Sequence, residues 1–145
     1  MSGVDPQVPD RSFEGERRTY DVGELNEHEV DPDPFLQLRR WLDEADAAGM
    51  FEPTAMTVST RGSEERLHSR TVLCRQLTSS GIVFYTNRDS AKGEELAAHP
   101  ECAAQFLWLE MARQVRIEGV AVLLDDPEAD AYFAGRPRGS QLGAW

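Results

Sequence analysis

The stretch RTVLCRQLTSSGIVFYTNRDSAKG, residues 70–93, decides the fold. Two runs rich in apolar and β-branched residues, at 71–77 and 82–87, flank a turn-forming segment at 78–81. This pattern predicts a β-hairpin. Ser90 follows the second run and stands where its side chain can cap a short helix.

Three cations accompany this predicted hairpin. Arg70 and Arg75 fall in the first run, and Lys92 falls in the first turn of the predicted helix. Free backbone N–H groups at a helix start, together with Arg and Lys side chains, suit the binding of a phosphate group. The alternative is a hairpin with solvated charges, and these residues alone do not separate the two interpretations.

The charge of the chain is strongly acidic and unevenly distributed. The 145 residues, enough for one domain with a real core, carry a formal net charge of −11. Residues 1–52 hold 14 acidic and 5 basic side chains, so the acidity is mostly N-terminal. Because no basic stripe dominates, the composition argues against nucleic acid as a partner, while a small anionic ligand needs only a few local cations.

Cysteine and histidine usage predicts neither a metal site nor acid–base catalysis by the protein. Cys74 and Cys102 form no CxxC motif or Cys/His cluster. His28, His68 and His99 are isolated along the sequence, so no acid–base pair is predicted. There is no apolar leader and no stretch of membrane-spanning length, which favours a cytoplasmic protein without membrane contact.

The remaining elements follow from hydrophobic periodicity and capping residues. Residues 1–32, rich in Asp, Glu, Pro and Gly, are predicted to form a mobile arm, and residues 33–145 a single domain. Gly119 indicates a bulge or a close backbone approach. The predicted helices lie at 34–49, with Asp33 as its N-cap and Gly49 as its end, at 90–98 and from residue 126. The predicted strands lie at 54–60, 102–111 and 114–124, and alternation in the second of them places Phe106 and Trp108 on one face. Successive strands and an earlier hairpin favour an antiparallel barrel over a parallel α/β sheet.

Six ordered strings carry a resemblance to a known family: EPTAM (52–56), RTVLC (70–74), GIVFYTN (81–87), SAKGEEL (90–96), ARQVRIEG (112–119) and YFAGRPRGSQLGAW (132–145). With the helix at 34–49 and the Arg-Arg-x-Tyr of residues 17–20, they resemble the pyridoxamine 5′-phosphate oxidase family, FMN enzymes that make pyridoxal 5′-phosphate. The resemblance implies a mainly β fold with flanking helices, an antiparallel, Greek-key-like FMN-binding split β-barrel. It also implies a homodimer with FMN at the interface.

The resemblance assigns residues to the cofactor and to the substrate. Those implied to contact FMN are Arg70, Thr71, Val72, Leu73, Cys74, Arg75, Tyr85, Thr86, Ala91, Lys92 and Gln114, with Arg70 and Lys92 on its phosphate. Those implied to bind pyridoxamine or pyridoxine 5′-phosphate are Arg17, Tyr20, Arg75, Tyr132, Arg136 and Ser140. The implied reaction passes a hydride equivalent from the 4′ carbon of the substrate to the flavin, and oxygen reoxidises the flavin. No catalytic side chain is implied.

The sequence also departs from the family pattern. Arg75 stands where the family commonly has Lys, and Ala91 where it often has Arg. The family continues beyond Trp145, so the domain at 33–145 is expected to be incomplete at its C-terminus. Three hypotheses follow: an active oxidase, a split-barrel flavin oxidoreductase with another substrate, or a non-catalytic protein that binds flavin or pyridoxal phosphate or only dimerises.

Overall fold

The structure, a computed structural model, describes Gly15 and residues 24–139. The helices and strands are α1 (Pro34–Ala47), β1 (Ala55–Arg61), β2 (Leu67–Leu73), β3 (Gln76–Thr78), β4 (Gly81–Val83), α2 (Ala91–Ala98), β5 (Glu101–Trp108), β6 (Arg113–Val120) and α3 (Asp126–Gly135). A turn with left-handed backbone at Glu64 and Glu65 joins β1 to β2, and a single turn of 3-10 helix at Leu109–Met111 joins β5 to β6. No helix in the described part of the chain is both long enough and apolar enough to cross a membrane.

Helix α1 begins and ends where its capping residues predict. Asp33 accepts a hydrogen bond from the backbone N–H of Phe35 at 2.8 Å, which satisfies a donor that the first turn leaves unpaired. Gly49 follows the helix with φ of +71°, a conformation that glycine adopts without a Cβ penalty. Leu38 and Ala45 are buried on one face. The predicted helix is therefore confirmed, and it packs on the sheet.

Four strands form one antiparallel sheet in the order β2-β1-β5-β6. The central strand β1 pairs on both sides, and Val58 lies opposite Arg70 of β2 and Ala104 of β5. Strands β3 and β4 form a separate two-stranded sheet. The arrangement confirms the predicted antiparallel fold with flanking helices, and it places Arg70 on a strand that is paired with the centre of the sheet.

The predicted hairpin is present, but its bounds differ from the prediction. The run at 71–77 is not one strand, because the chain changes partners at Cys74 and Arg75. The Cys74 N–H donates to Thr54 O at 2.9 Å in the main sheet, whereas the Arg75 N–H donates to Val83 O at 2.8 Å in the hairpin. The second strand ends at Val83 rather than at residue 87, and a two-residue turn joins the strands.

The last strand also corrects the prediction. Strand β6 ends at Val120 rather than at residue 124. Gly119 pairs with Cys102 in a continuous register and has no atom within 4 Å of a built Cβ. Neither a bulge nor a close backbone approach is therefore found there. The Ala121 N–H donates to Pro100 O at 2.8 Å, so the chain leaves the ladder one residue after β6.

The core lies between α1 and one face of the sheet. Phe106 and Trp108 stack with ring centroids 5.6 Å apart, and the Trp108 indole N–H donates to Pro53 O at 2.9 Å. Burial of such rings is the main stabilising contribution of a small core. The buried apolar residues are Leu38, Ala45, Met56, Val58, Cys74, Ala104, Phe106 and Trp108.

Candidate functional site

Arg70 lies in a polar cluster between the sheet and α2, which we call the Arg70 cluster: Thr60, His68, Arg70 and Glu95. The Nη2 of Arg70 donates to Glu95 Oε2 at 3.0 Å, and its Nη1 donates to Thr60 Oγ1 at 2.5 Å. The Thr60 hydroxyl, in turn, donates to the same Glu95 oxygen. Thr60 is 1% exposed, so this side of the guanidinium is held away from water.

Glu95 is the acceptor that joins the other members of the cluster. The Nδ1 of His68 lies 2.5 Å from Glu95 Oε1, and the Glu95 side chain is only 10% exposed. Hydrogen bonds from Thr60, His68 and Arg70 lower the pKa of Glu95 to about 2, against the raising effect of burial. Treating His68 as isolated was therefore wrong, because the fold brings it to a carboxylate 27 positions away.

The pKa of Glu95 predicts how the stability of the protein changes in acid. A carboxylate whose pKa falls from 4.5 to about 2 on folding stabilises the protein above pH 4.5, and this contribution is lost between pH 4.5 and 2. Replacing Glu95 by Gln should flatten the fall in melting temperature across that range. Thermal melts at intervals from pH 6 to 2 check this, and parallel curves for both proteins would contradict it.

The start of α2 provides the second part of the site. Ser90 caps the helix as predicted, because its Oγ accepts from the Gly93 N–H at 3.3 Å. The Lys92 Nζ lies 3.5 Å from the same Oγ. Lys92 precedes Glu95 by one helical turn, so the two project from the same face of α2. Since Glu95 binds Arg70, the two predicted phosphate-binding cations belong to one side of this helix.

A stacked tyrosine pair connects the segment that follows β4 with α3. The rings of Tyr85 and Tyr132 lie parallel, with centroids 3.6 Å apart and an interplanar angle of 4°. Burial and the nearby Glu128 raise the pKa of Tyr85, which keeps its phenol neutral. The next residue, Thr86, has its hydroxyl oxygen 3.4 Å from Ser90 Oγ at the start of α2. In the stacked pair, Tyr85, which is predicted to line the flavin, contacts Tyr132, which is predicted to bind the substrate.

Beside this stack lies a surface cleft of about 530 Å³. Three of its lining residues, Arg75, Tyr132 and Arg136, are ones that the sequence analysis assigned to the substrate. Arg75 comes from the segment between β2 and β3, Tyr132 lies in α3, and Arg136 directly follows that helix. The fold therefore brings two guanidinium groups and a phenol around one opening, a donor set suited to an anion.

The remaining predicted residues occupy varied positions. Thr71, Val72 and Leu73 lie in β2, and Ala91 is the exposed first residue of α2. Cys74 is buried, and its thiol donates to Gln76 O at 3.3 Å. Gln114 is exposed on β6 and accepts a hydrogen bond from Gln105 at 2.9 Å.

Three predicted substrate residues, Arg17, Tyr20 and Ser140, lie outside the described residues. Of the predicted arm, Gly15 and residues 24–32 are described, and the latter segment contacts α1. The Asp31 N–H donates to Gln37 Oε1 at 2.8 Å, and Arg40 Nη1 donates to Glu29 O at 3.2 Å. The sequence analysis missed Thr60 and Glu95 altogether. The position of Glu95 one helical turn after Lys92 does not by itself distinguish it from a solvated carboxylate.

Comparison with known proteins finds a matching family model and similar curated proteins. The family model described as pyridoxamine 5′-phosphate oxidase matches residues 42–145. The pyridoxine/pyridoxamine 5′-phosphate oxidase of Rubrobacter xylanophilus is 47% identical over 140 residues, which cover 97% of this chain and 64% of the relative. The oxidase of Synechocystis is 50% identical over 129 residues, covering 89% of this chain and 60% of the relative. The chain thus spans about three fifths of the length of these curated relatives.

Solved structures agree with the fold. PhzG from Burkholderia lata, in complex with tetrahydrophenazine-1-carboxylic acid, matches with a TM-score of 0.79 and 30% identity over 85% of this chain and 62% of PhzG. A pyridoxamine 5′-phosphate oxidase-related, FMN-binding protein from Nostoc punctiforme matches with a TM-score of 0.64 and 18% identity, over 79% of this chain and 64% of that protein. The fold is that of the FMN-binding split-barrel proteins. The family model and the fold lead to one conclusion: this chain belongs to the pyridoxamine 5′-phosphate oxidase family.

Proposed function

We propose that the protein binds FMN and oxidises pyridoxamine or pyridoxine 5′-phosphate to pyridoxal 5′-phosphate, with oxygen as the final electron acceptor. One observation carries the proposal: a series of neighbouring residues runs from Lys92, at the start of α2, to the cleft beside α3. It passes from Lys92 through Ser90 and Thr86 to the Tyr85–Tyr132 stack. A path with cations at both ends suits two phosphorylated ligands that lie side by side.

The first end of this path has the donors that the phosphate of FMN requires. Arg70 offers a planar guanidinium, Lys92 a mobile ammonium group, and the first turn of α2 offers backbone N–H groups. Helix N-termini and charge-assisted hydrogen bonds both favour a phosphate dianion. The donor set therefore fits the cofactor of the family, although Ala91 supplies no cation where other members often have Arg.

The second end has the donors for the phosphate of the substrate. Arg75 and Arg136 border the cleft, and the phenol of Tyr132 adds a neutral donor. Arg75 keeps the positive charge where the family commonly has Lys, but it presents a fork rather than a point charge. Two separately held phosphates would fix the distance and orientation between the substrate and the flavin.

The protein contributes positioning, and the cofactor contributes the redox chemistry. When bound, FMN supplies the acceptor for the two electrons that leave the 4′ carbon of the substrate. Arg75, Tyr132 and Arg136 hold the phosphate of the substrate, while Tyr85 and Thr86 border the flavin. Fixing both partners before reaction converts an encounter of two molecules into a step within one complex, which lowers the entropic part of the barrier.

A second copy of the chain completes the proposal. Strand β6 is an edge of the main sheet, and apolar side chains near it are exposed. Leu107 and Leu109 are 50% and 64% exposed, and Val120 is 64% exposed. Apolar surface of this kind commonly marks a protein interface. A homodimer covering it agrees with the interface-bound FMN that the family resemblance implies.

Two alternatives use the same fold. PhzG, at 30% identity, is in complex with a phenazine carboxylic acid rather than a vitamin B6 phosphate, so a flavin oxidoreductase with another substrate is one of them. The other is a protein that binds flavin or pyridoxal phosphate without catalysis. The cleft favours the oxidase, because Arg75, Tyr132 and Arg136 together suit a phosphate better than a single carboxylate.

One experiment tests cofactor and oligomeric state together. The protein is reconstituted with excess FMN and passed through a sizing column with flavin absorbance and light-scattering detection. We expect the flavin to co-elute with a species of twice the mass of one chain. A colourless protein that also fails to quench FMN fluorescence would refute the proposal, and a monomer with bound flavin would refute only the dimer.

The reaction is then tested on the flavin-loaded protein. We expect pyridoxamine 5′-phosphate to yield pyridoxal 5′-phosphate and hydrogen peroxide in equal amounts. Bound FMN without any affinity for pyridoxal 5′-phosphate would favour another substrate. Affinity for pyridoxal 5′-phosphate without turnover would favour the non-catalytic alternative.

A further inference from the structure

We infer that Glu95 is a positioning residue: together with Thr60, it holds the guanidinium of Arg70 so that one edge faces the phosphate of FMN. The inference rests on the proposed FMN binding. It concerns a carboxylate, a group that would ordinarily repel a phosphate and that the sequence analysis did not select.

Thr60 and Glu95 occupy one edge of the Arg70 guanidinium. Nη1 donates to Thr60 Oγ1 and Nη2 donates to Glu95 Oε2. Because these two oxygens are themselves hydrogen-bonded, they lie on the same side of the group and take its Nη1–Nη2 edge. Nη1 also makes longer contacts with two backbone carbonyl oxygens of the sheet, His68 O at 3.3 Å and Val58 O at 3.5 Å.

The other edge of the guanidinium is available to a ligand. A guanidinium carries five N–H donors in a rigid fork, and two adjacent donors can bind two phosphate oxygens at once. The contacts found among the described residues leave the Nε–H of Arg70 without a partner, and its side chain is 25% exposed. The Nε–Nη2 edge can therefore donate to two phosphate oxygens. The hydrogen bond from Nη2 to Glu95 fixes the direction in which this edge points.

Two opposing effects decide whether Glu95 strengthens or weakens FMN binding. Its negative charge repels a phosphate, but Thr60, His68 and Arg70 already donate to it, so its field is largely compensated. The opposing effect is conformational entropy. An arginine side chain loses much rotamer freedom when it binds a ligand, unless it is already ordered. Glu95 is only 10% exposed, and Arg70 is held at both terminal nitrogens. We therefore expect the gain from an ordered Arg70 side chain to exceed the electrostatic repulsion between Glu95 and the phosphate.

The test compares FMN with riboflavin, which has the same ring system but no phosphate. Glu95→Gln keeps the shape of the side chain and one acceptor oxygen while removing the charge. We expect it to weaken FMN binding about tenfold, which corresponds to about 1.4 kcal/mol, and to change riboflavin affinity by less than about twofold. The control is Glu94→Gln, which removes the same charge from an adjacent, exposed position of α2. It should leave both affinities within about twofold.

A second pair of variants separates positioning from folding. Thr60→Val removes the hydroxyl that links Arg70 to Glu95, whereas Thr60→Ser retains it. We expect the valine variant to lose FMN affinity selectively, as Glu95→Gln does, and the serine variant to restore it. Thermal melts of the flavin-free proteins record any loss of stability independently.

Each outcome has a distinct meaning. Unchanged or tighter FMN binding by Glu95→Gln would overturn the inference, as would an equal loss of FMN and riboflavin affinity, which indicates a purely structural role. If Glu95→Gln does not fold, the Thr60 pair decides by the same comparison. If the unmutated protein binds neither flavin, the proposed function fails and this inference fails with it, whereas normal FMN binding by every variant refutes the inference alone.

Discussion

Replacing Arg70 by Ala should weaken FMN binding by about one to two orders of magnitude. A charge-assisted hydrogen bond to phosphate contributes about 1.5–3 kcal/mol, and each 1.4 kcal/mol is about a tenfold change in affinity. Arg70 also has Glu95 as a partner at 3.0 Å, so the alanine variant leaves a mostly buried carboxylate without its cation. Fluorescence titration of the flavin-free protein with FMN and with riboflavin measures the effect of the phosphate contact itself.

Two further variants make the Arg70 prediction specific. Arg70→Lys keeps the charge but cannot present two parallel N–H groups, so its FMN affinity should lie between those of the native protein and Arg70→Ala. Arg66→Ala is the matched control, because Arg66 directly precedes β2 and its exposed side chain forms an ion pair with the exposed Glu64 rather than with the Arg70 cluster. Equal FMN affinity of Arg70→Ala and Arg66→Ala would exclude Arg70 from the cofactor site.

Replacing Arg136 by Ala should weaken binding of pyridoxal 5′-phosphate by about one to two orders of magnitude while leaving FMN affinity within about twofold. Arg136 borders the cleft beside α3 with Arg75 and Tyr132, and it lies far along the chain from the residues at the start of α2. For turnover of pyridoxamine 5′-phosphate, the Michaelis constant should rise in proportion. Pyridoxal 5′-phosphate absorbance and FMN fluorescence report the two sites separately.

The control for Arg136 lies two residues away. Arg138 is exposed and does not line the cleft, so Arg138→Ala should leave pyridoxal 5′-phosphate affinity nearly unchanged. If Arg136→Ala loses FMN as readily as Arg70→Ala does, the assignment of separate sites to the two phosphates is wrong. If both arginine variants bind pyridoxal 5′-phosphate equally well, the cleft is not the substrate site.

Local chemistry in the sequence determined the helices and the faces of the strands. The Asp33 and Ser90 side chains cap their helices because each can accept a backbone N–H two or three residues ahead. Alternation along β5 placed Phe106 and Trp108 on one face, and both are buried. Such features depend on neighbours within a few residues, and this is why sequence alone predicted them.

The strand bounds of the central stretch were harder to predict for a physical reason. The run at 71–77 is uniformly compatible with a strand, and nothing local marks the change of partner. The break at Cys74 and Arg75 arises because their N–H groups bond to two different segments, at Thr54 and Val83. Which acceptor a strand N–H finds depends on the pairing of the whole sheet, and periodicity reports only which face a side chain occupies.

The family motifs in the sequence identified residues of both candidate phosphate sites. Only the tertiary structure decided which of these residues lie in contact. Arg70 reaches Glu95 across 25 positions because β2 pairs with β1 and α2 packs near both. Tyr85 stacks on Tyr132 because α3 returns to the segment that follows β4. Contacts between distant segments are set by strand register and helix packing, which depend on the whole chain at once. For that reason Thr60 and Glu95 became visible only in the folded protein.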